Sequence, residues 1–170
     1  MIINLIGPPG VGKSTFGSRF VLEHPYYSYC SIDNYRISTW NPEVSVEKND
    51  QKAWQMFYYD IYYAKDCLIE SVGLDHRLKK ILNKLYQRPR FTVAFIGEGK
   101  DIEQRLRKRQ HKRPLPFPYD KQDEIDTIYY VLEGLNREYD ISVNTSLFSP
   151  EQAYEFVTAY ITNFRISHTG

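Results

Sequence analysis

Short apolar runs along the chain alternate with longer segments in which apolar residues recur at helical spacing. The apolar runs predict five strands, at residues 2–6, 26–32, 67–70, 91–96 and 141–143. The longer segments predict helices at residues 13–23, 46–66, 74–86, 100–112 and 120–138. A final helix is predicted to start near Ser149, a capping residue, with Pro150 at the first helical position.

Strands that alternate with helices are typical of an α/β fold. Each return between parallel strands needs a crossover, so the strands are expected to form one sheet covered by helices on both faces. The predicted fold class is therefore a three-layer α/β/α sandwich with a five-stranded parallel sheet. Ligands of such sheets bind at the carboxyl ends of the strands, which directs the search for functional residues.

Composition and charge narrow the class of protein. The 170 residues are 42% hydrophobic and 25% charged, without repeats or linkers, so a single domain over 1–170 is expected. The net charge of +1 excludes a whole-surface field that would hold polyanions. The sequence shows neither a membrane-length apolar run nor a secretion signal, which predicts a cytoplasmic protein without a membrane partner. Cys30 and Cys67 lie in separate apolar runs and are expected to be buried thiols.

The loop after the first strand carries the strongest chemical signal. Residues 7–15 read GPPGVGKST and match G-x-x-x-x-G-K-[ST] between a predicted strand and a predicted helix. Glycines let backbone N–H groups wrap a phosphate chain, and the helix N-terminus adds positive charge. Lys13 would neutralise the β- and γ-phosphates of ATP, and Ser14 would ligate Mg²⁺ directly. The predicted nucleotide-binding residues here are Gly7, Gly10, Val11, Gly12, Lys13, Ser14 and Thr15.

A second candidate site follows the second predicted strand, where residues 31–36 read SIDNYR. Asp33 could accept or orient the proton of an attacking hydroxyl group. Arg36, three residues on, could clamp a phosphate of the acceptor. The alternative is that Asp33 caps a helix and that Arg36 is an ordinary surface residue.

The pattern Ser-x-Asp-x-x-Arg after a phosphate-binding loop resembles the signature of polynucleotide 5′-hydroxyl kinases and of related hydroxyl kinases such as zeta toxins. The resemblance implies that Asp33 is the general base and that Arg36 holds acceptor phosphate. The same spacing is similar to nucleoside monophosphate kinases of the adenylate kinase type. Both resemblances imply that the chain binds MgATP and holds an acceptor opposite the γ-phosphate. They do not determine which acceptor it is.

Glu70 ends the third predicted strand, beside the expected position of the first. It is placed to hold a water of the Mg²⁺ shell, as the acidic residue of a Walker B strand does, and to border the acceptor. The alternative is a carboxylate that caps the next helix. Adenylate kinase-like enzymes carry Asp-Gly-x-Pro-Arg at this strand end, whereas residues 71–74 contain no Arg. Polynucleotide kinases tend to carry Asp-x-Thr-Asn, so neither resemblance is complete here.

Six basic residues stand between 105 and 113, directly before a Pro-rich segment. Small P-loop kinases have a lid at this place, so the resemblance implies a lid at about 105–122 that excludes water from the reaction. Arg105 and Arg109 are predicted to close over the transferring phosphoryl group, Arg109 as a catalytic residue. A solvated helix face is the alternative. The resemblance also places the backbone of residues 144–146 beside the adenine ring, so Asn144 and Arg105 are predicted to bind nucleotide. The alternative for residues 144–146 is a plain connection between a strand and a helix.

An aromatic stripe occupies residues 53–63, where Trp54, Phe57, Ile61 and neighbouring tyrosines recur at helical spacing. The pattern favours core packing, with stacking of an acceptor ring as the open alternative. The four histidines do not pair at ligand or triad spacing, which leaves a metal centre or a Ser-His-Asp hydrolase unsupported.

These observations predict an MgATP-dependent kinase that phosphorylates a hydroxyl acceptor, either a polynucleotide 5′-hydroxyl or a nucleoside-like molecule. A nucleoside monophosphate kinase is the alternative within the enzymes. An ATP-binding regulatory module without a small-molecule acceptor is the alternative from another class.

Overall fold

The computed structural model describes residues 1–108, 121–135 and 139–168. A single sheet of five parallel strands crosses the described part of the chain in the order β2-β3-β1-β4-β5. The strands are β1 (Ile2–Ile6), β2 (Tyr27–Ser31), β3 (Asp66–Glu70), β4 (Arg90–Ile96) and β5 (Ile141–Asn144).

Helices connect these strands and cover the sheet. They are α1 (Lys13–Glu23), α2 (Ile32–Thr39), α3 (Val46–Tyr63), α4 (His76–Lys84), α5 (Gly99–Lys108), α6 (Lys121–Gly134) and α7 (Pro150–His168). Side-chain hydrogen bonds cap the N-termini of α4 and α7. Asp75 accepts a hydrogen bond from the Arg77 N–H at 2.7 Å to begin α4, and Ser149 with Gln152 forms a reciprocal capping box at α7.

Two apolar clusters lie on opposite faces of the sheet, as alternate strand residues require. Ile3 and Leu5 of β1 belong to the cluster formed with α1, α5, α6 and α7. Ile2, on the other face of the same strand, belongs to the cluster formed with α2, α3 and α4. The predicted three-layer α/β/α sandwich with a five-stranded parallel sheet is therefore confirmed.

Strand β1 occupies the middle of the sheet, between β3 and β4. Its residue Leu5 is in register with Glu70 at the end of β3, and Ser31 at the end of β2 is in register with the same Glu70. The loop after β1 therefore begins beside the carboxyl end of β3, and the carboxyl end of β2 lies on the far side of β3.

The structure differs from the sequence prediction at helices α2 and α3. Helix α2 was not predicted, because its segment is mostly polar and buries only its two ends, Ile32 and Thr39. Its helical form depends on packing against α3 rather than on an apolar stripe. Helix α3 ends at Tyr63 instead of Asp66, which belongs to β3 and binds the N-terminal ammonium group at 2.6 Å.

The two cysteines are free thiols inside the cluster formed with α2, α3 and α4, as predicted. Burial raises the pKa of Cys30 to about 12 and that of Cys67 to about 11. Among the residues that the structure describes, no helix has the length and apolar character that a membrane crossing requires.

Packing of the inner strands should carry much of the stability. Leu68 in β3 is fully buried, so we expect Leu68→Ala to lower the free energy of unfolding by about 2–5 kcal/mol. Leu22 in α1 is 81% exposed, so Leu22→Ala should change it by no more than about 0.5 kcal/mol. Urea unfolding of both variants measures the difference; equal losses would contradict the assigned core.

Candidate active site

The loop between β1 and α1 turns at three glycines with positive φ angles. The φ values are 145° at Gly7, 77° at Gly10 and 107° at Gly12, in the region that only glycine adopts readily. A Cβ atom at Gly7 would also lie 2.2 Å from the carbonyl oxygen of Phe95. The motif therefore has the backbone shape that its glycine spacing predicts.

Lys13 occupies the inside of this loop although it is a charged residue. It is only 5% exposed, and its ammonium group donates hydrogen bonds to the carbonyl oxygens of Gly7 at 2.7 Å and Pro8 at 2.8 Å. Helix α1 starts at Lys13, and its N-cap Gly12 supplies no side-chain hydrogen bond. A buried ammonium and uncapped helical N–H groups at one place form a cradle for an anion.

Glu70 joins the loop to the end of β3. Its Oε1 accepts a hydrogen bond from the Ser14 hydroxyl at 2.6 Å, and its Oε2 accepts one from the Tyr29 hydroxyl. Burial and the neighbouring Glu70 carboxylate raise the pKa of Tyr29, so its hydroxyl stays a donor at neutral pH. The prediction that Glu70 lies beside the loop is thus met, and Glu70 does not cap α4, since Asp75 does.

These residues fit a magnesium ion bound with a nucleotide. The described residues contain no cluster of three or more acidic, histidine or cysteine side chains that would hold a metal alone. Mg²⁺ commonly keeps several waters and binds through substrate phosphates and few protein oxygens. The Ser14 hydroxyl beside the Glu70 carboxylate provides such a donor set next to the anion cradle.

A cavity of about 480 Å³ opens on one side of the loop, between α1, α5 and the segment after β5. Its lining is largely apolar and aromatic and includes Val11, Phe16, Phe95, Phe148 and Tyr154. Such a slot next to a phosphate cradle suits the base of a nucleotide. Sequence reasoning missed Phe16 and Tyr154, whose rings pack 5.3 Å apart between centroids.

Arg105 stands at the edge of this cavity. Its guanidinium donates to the Thr145 hydroxyl at 3.0 Å and to the Thr145 carbonyl at 3.1 Å, which ties α5 to the loop after β5. Thr145 and Ser146 line the cavity, whereas the predicted Asn144 accepts a hydrogen bond from the Ser146 N–H at 3.0 Å and shapes the turn. The second predicted lid residue, Arg109, lies outside the described residues.

A second cavity, of about 600 Å³, opens on the other side of the loop. It brings the predicted residues Asp33, Arg36 and Glu70 together with Lys13 and Ser14. Asp33 lies in the first turn of α2, whose N-cap is Ser31, so the alternative that Asp33 caps this helix is wrong. The Asp33 side chain is 71% exposed and forms part of the cavity lining.

Arg36 is held by two carboxylates. Its Nε donates to Asp50 Oδ1 at 2.9 Å, and a terminal nitrogen donates to Asp33 Oδ1 at 3.2 Å. Arg77 of α4 donates to the other oxygen of Asp50 at 2.6 Å. Asp50 therefore bridges two guanidinium groups, and no local motif in the sequence marks it.

The aromatic stripe of α3 divides between core and surface. Trp54 and Phe57 are buried, line the second cavity and pack edge to face at 5.3 Å between ring centroids. Arg77 covers the Trp54 ring at 4.4 Å from its centroid. Tyr59 and Tyr63 are exposed and pack against each other. The core prediction is met for the inner face, and that inner face also borders the candidate acceptor space.

Solved structures of several small kinases share this fold. A shikimate kinase from Bacteroides thetaiotaomicron superposes with a TM-score of 0.66 at 16% identity, over 95% of this chain and 98% of that one. A gluconokinase from Sinorhizobium meliloti 1021 gives 0.63 at 15% identity, over 98% and 96%. A shikimate kinase from Acinetobacter baumannii in complex with shikimate gives 0.63 at 18% identity, over 95% and 93%. The fold is that of small P-loop kinases.

Similarity at this level of identity establishes the fold and leaves the substrate open. No protein-family model matches the chain, and comparison with curated protein sequences gives no match. The narrower resemblance to polynucleotide 5′-hydroxyl kinases and zeta toxins, and that to nucleoside monophosphate kinases, is not confirmed by these neighbours and stays a prediction.

The charge of Asp50 should make stability depend on pH. Burial alone would raise the pKa of this carboxyl, but hydrogen bonds and charge from Arg77 and Arg36 outweigh burial and lower it. A lowered folded-state pKa contributes stability that is present above the unfolded-state pKa, about 3.9 for Asp, and is lost as pH falls through the folded-state pKa.

We therefore expect Asp50→Asn to be destabilised relative to the parent protein at pH 7, and the difference to shrink as pH falls below about 4. Urea unfolding across this pH range measures it. Glu155→Gln, which removes an exposed carboxylate of α7 that lines neither cavity, is the control. A difference that does not change with pH would contradict the ion-paired state of Asp50.

Proposed function

We propose that the chain is an ATP-dependent kinase that transfers the γ-phosphoryl group of MgATP to a hydroxyl acceptor. The observation that carries the proposal is that two cavities meet at one phosphate-binding loop. Gly10, Gly12 and Thr15 line both of them. A triphosphate lying in the loop would have its base in the smaller cavity and its terminal phosphate at the mouth of the larger one.

The loop residues would bind and orient the nucleotide. Lys13, which now donates to two loop carbonyls, would turn its ammonium group to the phosphate oxygens. Ser14 would hold Mg²⁺ directly and Glu70 through water, and the metal would neutralise charge between the β- and γ-phosphates. Positioning and electrostatic stabilisation supply most of the catalysis in phosphoryl transfer.

Asp33 is the candidate general base in the larger cavity. It lines the same cavity as Ser14 and Glu70, and it is exposed enough to meet an incoming hydroxyl. Arg105 at the border of both cavities, and Arg109 beyond the described residues, remain the candidates to close over the transferring group. Use of ATP fits the cytoplasmic location that the sequence predicts.

The acceptor proposed from the sequence is a polynucleotide 5′-hydroxyl or a nucleoside-like molecule. The neighbours named above are kinases of shikimate and gluconate, which supports a small hydroxyl compound as the general class. The larger cavity, at about 600 Å³, has the volume for a compound of one or two rings.

An acceptor panel tests the proposal. Purified protein with ATP labelled in the γ-phosphate is offered 5′-hydroxyl oligonucleotides, nucleosides, sugars, hydroxy acids and nucleoside monophosphates. We expect label to move to a hydroxyl of one class in a Mg²⁺-dependent manner. Transfer only to the phosphate of a monophosphate would favour the nucleotide kinase, and ATP turnover that no acceptor stimulates would contradict phosphotransfer and favour a regulatory module.

Replacement of the candidate base should separate chemistry from binding. Asp33→Asn keeps the size of the side chain but cannot take up a proton, so we expect kcat to fall about 10²–10⁴-fold while ATP affinity stays unchanged. Steady-state kinetics and calorimetry measure the two effects. Glu43→Gln, at an exposed site that lines neither cavity, is the matched control. Unchanged kcat in Asp33→Asn would remove Asp33 from the reaction.

A further inference from the structure

The guanidinium group of Arg36, which lines the larger cavity, is already paired with two carboxylates. We infer that the acceptor of this kinase is an electrically neutral hydroxyl compound with an apolar ring face, and that Asp50 is the residue that determines this preference. The inference rests on the proposed phosphotransfer and narrows its acceptor class.

The first argument is the pairing of Arg36, the cation that the sequence assigns to an acceptor phosphate. Its side chain is only 17% exposed, and it donates to Asp50 at 2.9 Å and to Asp33 at 3.2 Å. A guanidinium held between two carboxylates gives an incoming anion little net attraction. An anion that binds Arg36 would also compete with these two carboxylates for the same guanidinium group.

The second argument is that the neighbouring cation is neutralised in the same way. Arg77 donates to Asp50 at 2.6 Å, and its Nε lies 3.7 Å from Asp75. Two guanidinium groups are thus paired with three carboxylates, and of these two cations Arg36 lines the cavity while Arg77 lies outside its lining. Lys13 and Arg105 also border the cavity, but they bond to the phosphate loop and to Thr145.

Acidic side chains elsewhere in the cavity lining add further negative charge. Among the residues that the structure describes, the cavity is bordered by Asp33, Glu70, Asp75 and Glu124 and by the cations Lys13, Arg36 and Arg105. An ionised acceptor would bring further negative charge beside Asp33, where the γ-phosphate of ATP also arrives. Like charges in such a partly enclosed space disfavour binding.

The third argument is the apolar part of the wall. Ile37 and Val72 expose part of their side chains in the cavity lining, which also includes the buried side chains of Ile32, Trp54 and Phe57. An apolar surface of this kind favours the face of a ring, whereas the carboxylates at its rim can accept hydrogen bonds from hydroxyl groups. A neutral ring compound with hydroxyl groups fits both surfaces.

Asp50 belongs to α3 and does not line the cavity itself. It contacts the cavity only through the side chain of Arg36, and it also binds Arg77. It acts through these two cations and is a positioning residue. Replacing its carboxylate with an amide would leave Arg36 with a net positive charge toward the cavity. The acceptor preference would then shift toward anions.

Matched acceptor pairs that differ by one ionised group test the inference. Nucleosides are compared with their 3′-monophosphates, which keep the 5′-hydroxyl, and gluconamide is compared with gluconate. We expect the neutral member to have a kcat/KM about tenfold higher or more, and Asp50→Asn to reduce that ratio about tenfold. Glu155→Gln should leave the ratio unchanged. An equal or higher kcat/KM for the anionic member in the parent protein would overturn the inference.

A binding experiment judges the inference even when no member of the panel is phosphorylated. With the nucleotide site saturated by a non-hydrolysable MgATP analogue, inorganic phosphate is titrated in a calorimeter. We expect the parent protein to bind phosphate about tenfold more weakly than Asp50→Asn. Equal affinities would overturn the inference, whereas failure of the analogue to bind would instead contradict the proposed function.

A second variant tests the inference even if Asp50→Asn does not fold. Arg77 is half-exposed, and Arg77→Gln removes one cation while Asp50 keeps its charge beside Arg36. This variant should bind phosphate more weakly than the parent protein and prefer neutral acceptors more strongly. Tighter phosphate binding in Arg77→Gln would contradict the assigned charge balance.

Discussion

The structure depends on one buried cation, the ammonium group of Lys13, inside a loop wound by three glycines with positive φ angles. Burial of a charge is expensive unless hydrogen bonds compensate it, and the carbonyl oxygens of Gly7 and Pro8 accept hydrogen bonds from the Lys13 ammonium group. This requirement fixes the shape of the loop at the head of α1. Helix α1 begins at this loop without a side-chain cap, so its first N–H groups lie beside the place where a phosphate chain would bind.

The strand order converts that loop into a site with two sides. Because β1 lies between β3 and β4, Glu70 meets Ser14 on one flank, while the turn after β5 and Arg105 border the other. The phosphate cradle therefore lies between the apolar slot and the proposed acceptor space, and Gly10, Gly12 and Thr15 line both cavities. Arg36, which lines the proposed acceptor space, pairs with Asp50, and Asp50 also binds Arg77 outside that lining.

The parts predicted well from the sequence are those set by local chemistry. The loop at residues 7–15 combines glycines that permit unusual backbone angles with a lysine and a serine at fixed offsets, so its structure and chemistry follow from adjacent residues. The strands could be predicted because apolar runs in a doubly covered sheet are nearly continuous. Asp33, Arg36 and Glu70 were found because they follow strands, and strand ends converge at one edge of a parallel sheet.

The parts that sequence could not predict depend on contacts between distant segments. Asp50 shows no local motif, yet it joins Arg36 of α2 to Arg77 of α4. Helix α2 has no apolar stripe of its own and depends on packing against α3. The lining of the smaller cavity combines Phe16 of α1 with Tyr154 of α7, which only the folded arrangement brings together.

A crystal structure with Mg²⁺ and a non-hydrolysable ATP analogue tests the central claim most directly. The account predicts the triphosphate inside the loop at residues 7–15, the base in the smaller cavity, the metal beside Ser14, and the Lys13 ammonium moved from the loop carbonyls to phosphate oxygens. An analogue bound elsewhere, or a Lys13 ammonium that keeps both carbonyl hydrogen bonds with the analogue present, would contradict it.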